Sequence, residues 1–233
     1  MNIAPINPRS HYVFPNMELG DNIICNGMAR KLACLYPHVS WVAKHAYASE
    51  IARMLSDVPN LTVVDGYDYP EAKEHLRGRA TSQLTLAYFG PLEYEWKSIR
   101  FDVDFYKEAG IYFRERWDSF NLPPGLLPAA TGIRPTKVLL HEVAERGFTI
   151  DRHRCPAGEL TVMHRRASFW DWLPEIYGAE EIHVVDSSYL NLIESLYAIG
   201  LLRNTKLVFH FYSKCRIHGA GAPVLLAPWT FLG

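Results

Sequence analysis

The sequence predicts an α/β protein built from two small parallel-sheet domains that face a central cleft. Three observations carry that expectation. Short apolar runs alternate with helix-period segments along much of the chain, the signature of βαβ units whose right-handed crossovers leave the strands parallel. Two of these units, at residues 11–36 and 180–196, join a strand to a helix through a polar turn. Between the halves, residues 121–136 are rich in Pro, Gly and Ala and read as a linker. The domains are therefore expected at residues 1–120 and 137–233.

The elements follow in order. Residues 11–15 (HYVFP) read as a first strand, residues 17–22 as a turn, and residues 23–36 as a helix, with Ile23, Ile24, Met28, Leu32 and Leu35 at helical spacing before Pro37 ends the run. A strand at residues 39–43, a helix at 49–55 and a strand at 61–64 come next, then a polar helix at 71–79 and a strand at 83–89. Residues 96–120 mix aromatic and charged side chains without a clear period. In the second half, residues 137–140 are a strand, 141–147 a polar turn and 148–151 the lead into another loop. Residues 159–163 read as a strand and 169–177 as a helix disturbed by Pro174. The run Ile182 to Val185 is a strand that stops at Asp186-Ser187-Ser188, after which Tyr189, Leu192, Ile193 and Leu196 mark a helix. A last strand at 206–211 precedes a loop-like tail.

The turn at Asp186, Ser187 and Ser188 organises this reading. Asp and Ser accept hydrogen bonds from the first free helical N–H groups, so an ordinary cap is one meaning. A helix start beyond a buried strand also directs spare N–H groups and a positive dipole end at one place, which suits a phosphate or diphosphate. Ligands in such sheets sit beyond the carboxyl ends of the strands, which here means the loops at residues 19–22, 141–147, 186–188 and 210–216.

Composition narrows the function classes. At 233 residues, 48% hydrophobic and 21% charged, this is an ordinary globular chain with room for one large or two small cores. A net charge of −1 provides no overall field toward nucleic acid or an anionic membrane. No apolar stretch reaches spanning length and no signal peptide is evident, so a cytoplasmic protein is expected. Cys25, Cys34, Cys155 and Cys215 form no CxxC pair and are expected reduced. HExxH, GxSxG, GxGxxG and Walker patterns are absent, which argues against zincin, α/β-hydrolase, dinucleotide-fingerprint and P-loop chemistry.

The candidate chemistry is then local. Asp21, after Gly20 and before Asn22, stands at the first strand-turn-helix unit, where a carboxylate either caps a helix or takes a proton from an acceptor hydroxyl. His141 and Arg146 stand in the loop after the first strand of the second half, where they could donate hydrogen bonds to a departing nucleotide. Asn191 and Glu194 share one side of the key helix and could meet a ribose hydroxyl, although a surface Glu is the commoner meaning. His210, near the end of the last strand, and Lys214, beyond it, are further donor-side candidates. Asp102 and Asp104, if on a strand, would share a face as a hard cation requires, but two carboxylates alone hold such an ion poorly.

The run LGDNIICNG at residues 19–27, Phe105-Tyr106 with RWDSF at 116–120, the loop at 141–150 and IHVVDSS at 182–188 together resemble a group of glycosyltransferases found in viral, bacterial and environmental sequences. The resemblance spans most of the chain. More remotely, the chain is similar to heptosyltransferase-like enzymes of the GT-B fold. The resemblance implies two Rossmann-like domains across a cleft, with a nucleotide sugar, UDP-linked by expectation, held by the second domain and no metal required. It assigns Asp21 as the general base, and Asp186, Ser187 and Ser188 as the phosphate-facing turn. Gly20, Asn22 and Arg116 are expected on the acceptor side. One departure is visible: the second-half loop reads His141-Glu142-Val143 where acidic residues should follow the His. The chain is also short for the fold, so acceptor loops must be small or supplied by a partner.

The expected function is thus transfer of a sugar to an acceptor hydroxyl, on a glycan or on a hydroxymethylated base of viral DNA. Arg77, Arg79, Arg114, Arg116, Arg154, Arg165 and Arg166 are the basic residues available for a DNA acceptor, though such runs are usually solvated faces. The alternatives are a noncatalytic nucleotide or sugar-binding module and a sugar-nucleotide epimerase.

Overall fold

The computed structural model describes residues 11–13, 18–65, 84–85, 101–129, 133–211 and 224–233. The described residues up to Pro124 form one compact unit and those from Gly125 a second. Each unit is built on a parallel sheet flanked by helices.

In the first unit, β1 (His11–Val13), β2 (Val39–Ala43), β3 (Leu61–Asp65) and β4 (Leu84–Thr85) pair in the order β3-β2-β1-β4, all parallel. Every residue of β2 is buried, as expected of a central strand covered on both faces. Helices α1 (Leu19–Ile24) and α2 (Asn26–Leu35) follow β1, and α3 (His45–Met54) links β2 to β3. Two further helices, α4 (Phe101–Glu108) and α5 (Glu115–Asp118), complete the described part. Gly27 lets α2 approach α5 closely, since a Cβ there would lie 1.9 Å from the Glu115 carbonyl oxygen. The Tyr106 hydroxyl of α4 donates to the Ile24 carbonyl at 2.7 Å and accepts the Met28 N–H at 3.2 Å, tying α4 to the junction of α1 and α2.

Two expectations for this unit are corrected. The helix expected from residue 23 begins at Leu19 and breaks at Cys25, so Gly20, Asp21 and Asn22 lie inside α1 rather than in a turn. The cause is an N-cap at Glu18: its N–H donates to the Asp21 carboxylate at 3.1 Å, and the Asn22 N–H reaches its carbonyl at 3.1 Å. Asp102 and Asp104 lie on helix α4, not on a strand. Residues two apart on a helix are about 200° apart around its axis, so the pair does not share a face. Asp102 is instead buried against Arg116, its Oδ2 accepting from Nη1 at 2.8 Å. Among the described residues, no group of three His, Cys, Asp or Glu side chains is arranged to hold a metal ion.

The second unit contains β5 (Thr136–His141), β6 (Leu160–Val162), α6 (Leu173–Gly178), β7 (Ala179–Val184), α7 (Ser188–Ala198), β8 (Lys206–His210) and β9 (Thr230–Leu232). Its sheet runs β6-β5-β7-β8-β9, all parallel. Leu139 and Leu140 of β5, Ile182 and Val184 of β7, and Leu207, Val208 and Phe209 of β8 form the buried centre, with Leu190, Leu192, Ile193 and Leu196 of α7 packed in the core. Pro174 sits in the first turn of α6, where it starts the helix instead of disturbing it, because no intrahelical partner is needed for its missing N–H. The tail contributes a strand where a loop is expected: Thr230 to Leu232 pair with Val208 to His210.

The strand order places the site. From β5 the chain goes to β6 on one side of the sheet, whereas from β7 it goes to β8 on the other. The loops after β5 and β7 therefore diverge, and the reversal between two such strands is where parallel α/β sheets leave room for a ligand. His141 and Val184, paired across that reversal, close the two strands. The helix expected at 71–79, most of the strand at 83–89, Lys214 and Cys215 lie outside the described residues, as do Arg77, Arg79 and residues 130–132 of the expected linker. Among the described residues, no helix is long and apolar enough to cross a membrane.

Candidate functional site

The site is built by the ends of β5 and β7 and the start of α7. The Val185 N–H donates to the His141 carbonyl at 3.2 Å, which holds the two loops side by side one residue past the ladder. Beyond it, Asp186 and Ser187 make the turn, with Ser187 as the extended N-cap residue of α7. The Leu190 N–H closes onto the Ser187 carbonyl at 3.1 Å. The Ser187 side chain makes no capping bond, and its hydroxyl oxygen is buried without a hydrogen-bond partner among the described residues. A serine in this position ordinarily accepts from the N–H groups of the first turn. Here the residue suited to that task leaves it undone.

His141 supplies a second unused polar atom. Its Nδ1 is buried without a partner among the described residues. Burial pushes the imidazole pKa down to about 4, against the upward pull of Glu145 and Glu142, so the ring is neutral near pH 7. The ring meets the edge of Tyr189 at 4.5 Å between centroids, and Tyr189 also stacks on Phe169 at 4.2 Å. The Tyr189 hydroxyl donates to the Phe169 carbonyl at 2.9 Å, fixing both rings as an apolar wall beside the start of α7.

The loop after β5 carries the charges. Val143 and Phe148 pair as an isolated bridge around a 3-10 turn at Ala144–Arg146, and Gly147 closes it with φ of 76°, a left-handed conformation that glycine adopts freely. Arg146 is thereby exposed at the tip. Glu142 turns away to receive Arg152, 2.9 and 3.0 Å from its two oxygens, and the Ile150 N–H at 3.0 Å. Burial alone would raise the Glu142 pKa, but these bonds hold it below the usual carboxylate value. Among the described residues, no hydrogen bond supports Asp186 in this way. Although exposed to solvent, its carboxyl is crowded by protein atoms, which raises its pKa, and the positive charge of Arg146 only partly offsets this.

The structure thus brings His141, Arg146, Asp186, Ser187 and Ser188 together. It puts the other described candidates elsewhere. The Asn191 carbonyl accepts the Ser195 hydroxyl at 2.8 Å on the buried part of α7. Glu194 is fully buried, and its carboxylate receives the N–H groups of Leu226 and Ala227 and the Trp229 indole N–H, the last at 2.8 Å. His210, at the end of β8, places Nε2 2.8 Å from Nδ1 of His183. The other His183 nitrogen, Nε2, meets Glu181 at 2.7 Å, and Lys206 reaches the same carboxylate at 3.0 Å. In the first unit, the buried Asn22 amide bridges the Glu18 carbonyl and the Trp41 indole N–H at 2.9 Å each, and Arg116 is wholly buried on Asp102. Gly20 and Asp21 belong to α1. The Phe169 and Tyr189 wall and the His183–His210 pair have no signature in the sequence, because each joins positions far apart in the chain.

No family model matches the chain. No curated protein matches it either. Among solved structures, a glycosyl transferase family 9 protein from Veillonella parvula DSM 2008 is similar over 99% of this chain and 88% of its own, with 10% identity and a TM-score of 0.40.

Proposed function

We propose that the chain is a glycosyltransferase that moves a sugar from a nucleotide-sugar donor, UDP-linked by preference, to an acceptor hydroxyl on a glycan or a hydroxymethylated DNA base. One observation carries this reading. At the strand reversal of the second unit, the N-terminus of α7 has no side-chain cap, and Ser187 and His141 keep buried polar atoms without partners among the described residues. Buried polar groups are nearly always satisfied, so an exception of this kind points to a ligand that supplies the partner. An anion suits it, because the first-turn N–H groups and the helix dipole favour negative charge. A diphosphate extending along the Ser187 turn would also reach Arg146. These groups would stabilise the departing nucleoside diphosphate without a metal, the electrostatic role that dominates such transfers. Asp21 is the proposed base that takes the acceptor proton.

A thermal-shift panel of UDP-, GDP-, ADP-, CMP- and TDP-sugars, with and without chelator, tests the donor site. A ligand that binds the native state alone raises the midpoint by mass action. The expected result is a selective rise that chelator leaves unchanged. No rise with any donor would sink the reading. A second reading, a noncatalytic nucleotide-binding module, is favoured by the engagement of the Asp21 carboxylate with the Glu18 N–H. Asp21→Asn separates the two: the transferase keeps its donor shift but loses turnover by roughly a hundredfold or more, the scale of a lost general base. A module shows the shift and no donor consumption in either form.

A further inference from the structure

We infer that Cys155 is a nucleophilic thiol that a small hydroperoxide oxidises to a sulfenic acid, with His183 as its general base and Glu181 as the residue that positions His183. The inference is independent of the donor site. Cys155 follows the 3-10 turn at Arg152–Arg154 and packs, partly buried, against the apolar cluster of Val138, Leu140, Phe148, Ile150 and Val185. Its Sγ lies 3.8 Å from Nδ1 of His183, a buried residue of β7, and equally far from the Asp151 carbonyl. The other nitrogen of His183, Nε2, meets the Glu181 carboxylate at 2.7 Å, and Lys206 reaches the same oxygen at 3.0 Å. A carboxylate only accepts, so Nε2 carries the ring proton and Nδ1 is left as the acceptor. A thiol beside a base that a third group orients is the arrangement of an activated nucleophile.

The surroundings suit base catalysis rather than a thiol ionised at rest. Burial pushes the Cys155 thiol up, and Glu181, Asp151 and Glu142 add to this against the pull of Arg152. Burial also lowers the pKa of His183, opposed by Glu181 and aided by Lys206. Thiol and imidazole are therefore both neutral near pH 7, and the thiol proton leaves as the sulfur attacks. His210 shares the acceptor, its Nε2 standing 2.8 Å from His183 Nδ1. That separation is a hydrogen bond, shorter than the roughly 3.3 Å between two imidazole nitrogens on one tetrahedral zinc ion. The His210 N–H gives way when Nδ1 takes the thiol proton. In the reaction an S–O bond forms and the peroxide O–O bond breaks. The thiol proton passes to His183 Nδ1 and from there to the leaving oxygen. Sulfur is oxidised by two electrons to the sulfenic acid, and the hydroperoxide is reduced to an alcohol, or to water where it is hydrogen peroxide. Partial burial of Cys155 favours an electrophile of that size over a bulky one.

The test treats the full chain with limiting hydrogen peroxide and a 1,3-dione that traps sulfenic acids, and reads each cysteine by peptide mass spectrometry. Cys34 is exposed and Cys25 buried, so the protein carries its own comparisons. Cys155 is expected to be labelled at least about tenfold faster than Cys34, a modest share of what a general base contributes. Its rate is expected to be flat from pH 7 to 8.5, because His183 is already neutral there. A thiol that must ionise unaided instead gains about tenfold per pH unit below its own pKa. Glu181→Gln keeps an acceptor but loses the charge that steadies the imidazolium, and is expected to slow Cys155 by about tenfold while leaving Cys34 unchanged. His183→Gln is expected to bring Cys155 down to the rate of Cys34 or below. His183 is buried, so a variant there risks the fold, and the pH profile of the native chain decides in that case. Labelling of Cys155 no faster than Cys34, a tenfold climb per pH unit, or a Glu181→Gln rate equal to the native one each overturns the inference.

Discussion

At the scale of single residues, the second unit shows two opposite fates for a buried polar side chain. The Glu181, His183 and His210 chain is satisfied internally, each ring nitrogen of His183 having a partner. Burial lowers the pKa of both histidines, to about 4 for His210, and for His210 the neighbouring His183 adds to the effect. Their folded values therefore lie below the ordinary 6.5. An unfolded chain takes up protons below that pH while the folded one does not, so stability is full above about pH 6.5 and falls as the pH drops toward 4. Thermal midpoints measured from pH 7.5 to 5 are expected to decline over this range. In His210→Asn the decline is shallower, with the remainder due to His141, His183 and His11, whose pKa values burial also lowers. The carboxylates Glu142 and Glu175, whose pKa values lie below 4.5, enter only at lower pH and do not obscure the test. A midpoint equally pH-dependent in His210→Asn would show that His210 does not supply this term. Ser187 and His141 are the contrasting case, with buried polar atoms that no described residue answers.

At the scale of elements, Glu194 shows how a helix is turned to serve the fold. Its carboxylate gathers the N–H groups of Leu226 and Ala227 and the Trp229 indole, holding the segment that leads into β9. Removing an acceptor from several buried donors costs roughly 1–3 kcal/mol for each group left unsatisfied. Glu194→Ala is expected to lose about 3 kcal/mol in a urea titration, on that scale, and Glu194→Gln less, since one oxygen remains. If Glu194 instead meets a donor ribose, Glu194→Gln weakens the donor shift and leaves the urea midpoint unchanged. The sequence shows why this was hard to foresee. Apolar runs reveal β2, β5, β7, β8 and α7, because central parallel strands and a buried helix carry continuous hydrophobic signals. The turn at Asp186 to Ser188 is equally legible from its residue types. The α1 start is hidden because its cap is Glu18, an uncommon N-cap, backed by Asp21. Asp102 looks like half of a strand motif until its buried partner Arg116, fourteen positions on, is in place. β9 carries no periodic signal across its three residues, and what fixes it is the distant Glu194.

At the scale of the whole molecule, both sheets reverse their strand order, the first beside β1 and the second beside β5, so topology alone offers two places for an anion. The helix starts beside them are not equivalent. At α1 the N-terminus is taken up by its own residues: Asp21 accepts from the Glu18 N–H, and the Glu18 carboxylate pairs with Lys44 at 2.6 Å. That helix also spans only six residues, from Leu19 to Ile24, which limits its dipole. At α7 eleven residues align behind an unused Ser187, with a neutral His141 and an exposed Arg146 nearby. The donor should therefore choose the second unit, although both sheets are of the same kind. Hydrogen–deuterium exchange in the presence of a saturating donor sugar nucleotide checks this directly. Slowed exchange is expected at the amides of Ser188 and Tyr189 and in the loop at residues 142–148, since these N–H groups become bonded or excluded from water. The amides of α1 should be unchanged by the donor, because its cap already occupies them. Protection centred on Leu19 to Ile24 instead would move the diphosphate to the first unit and with it the roles of Asp21 and Ser187.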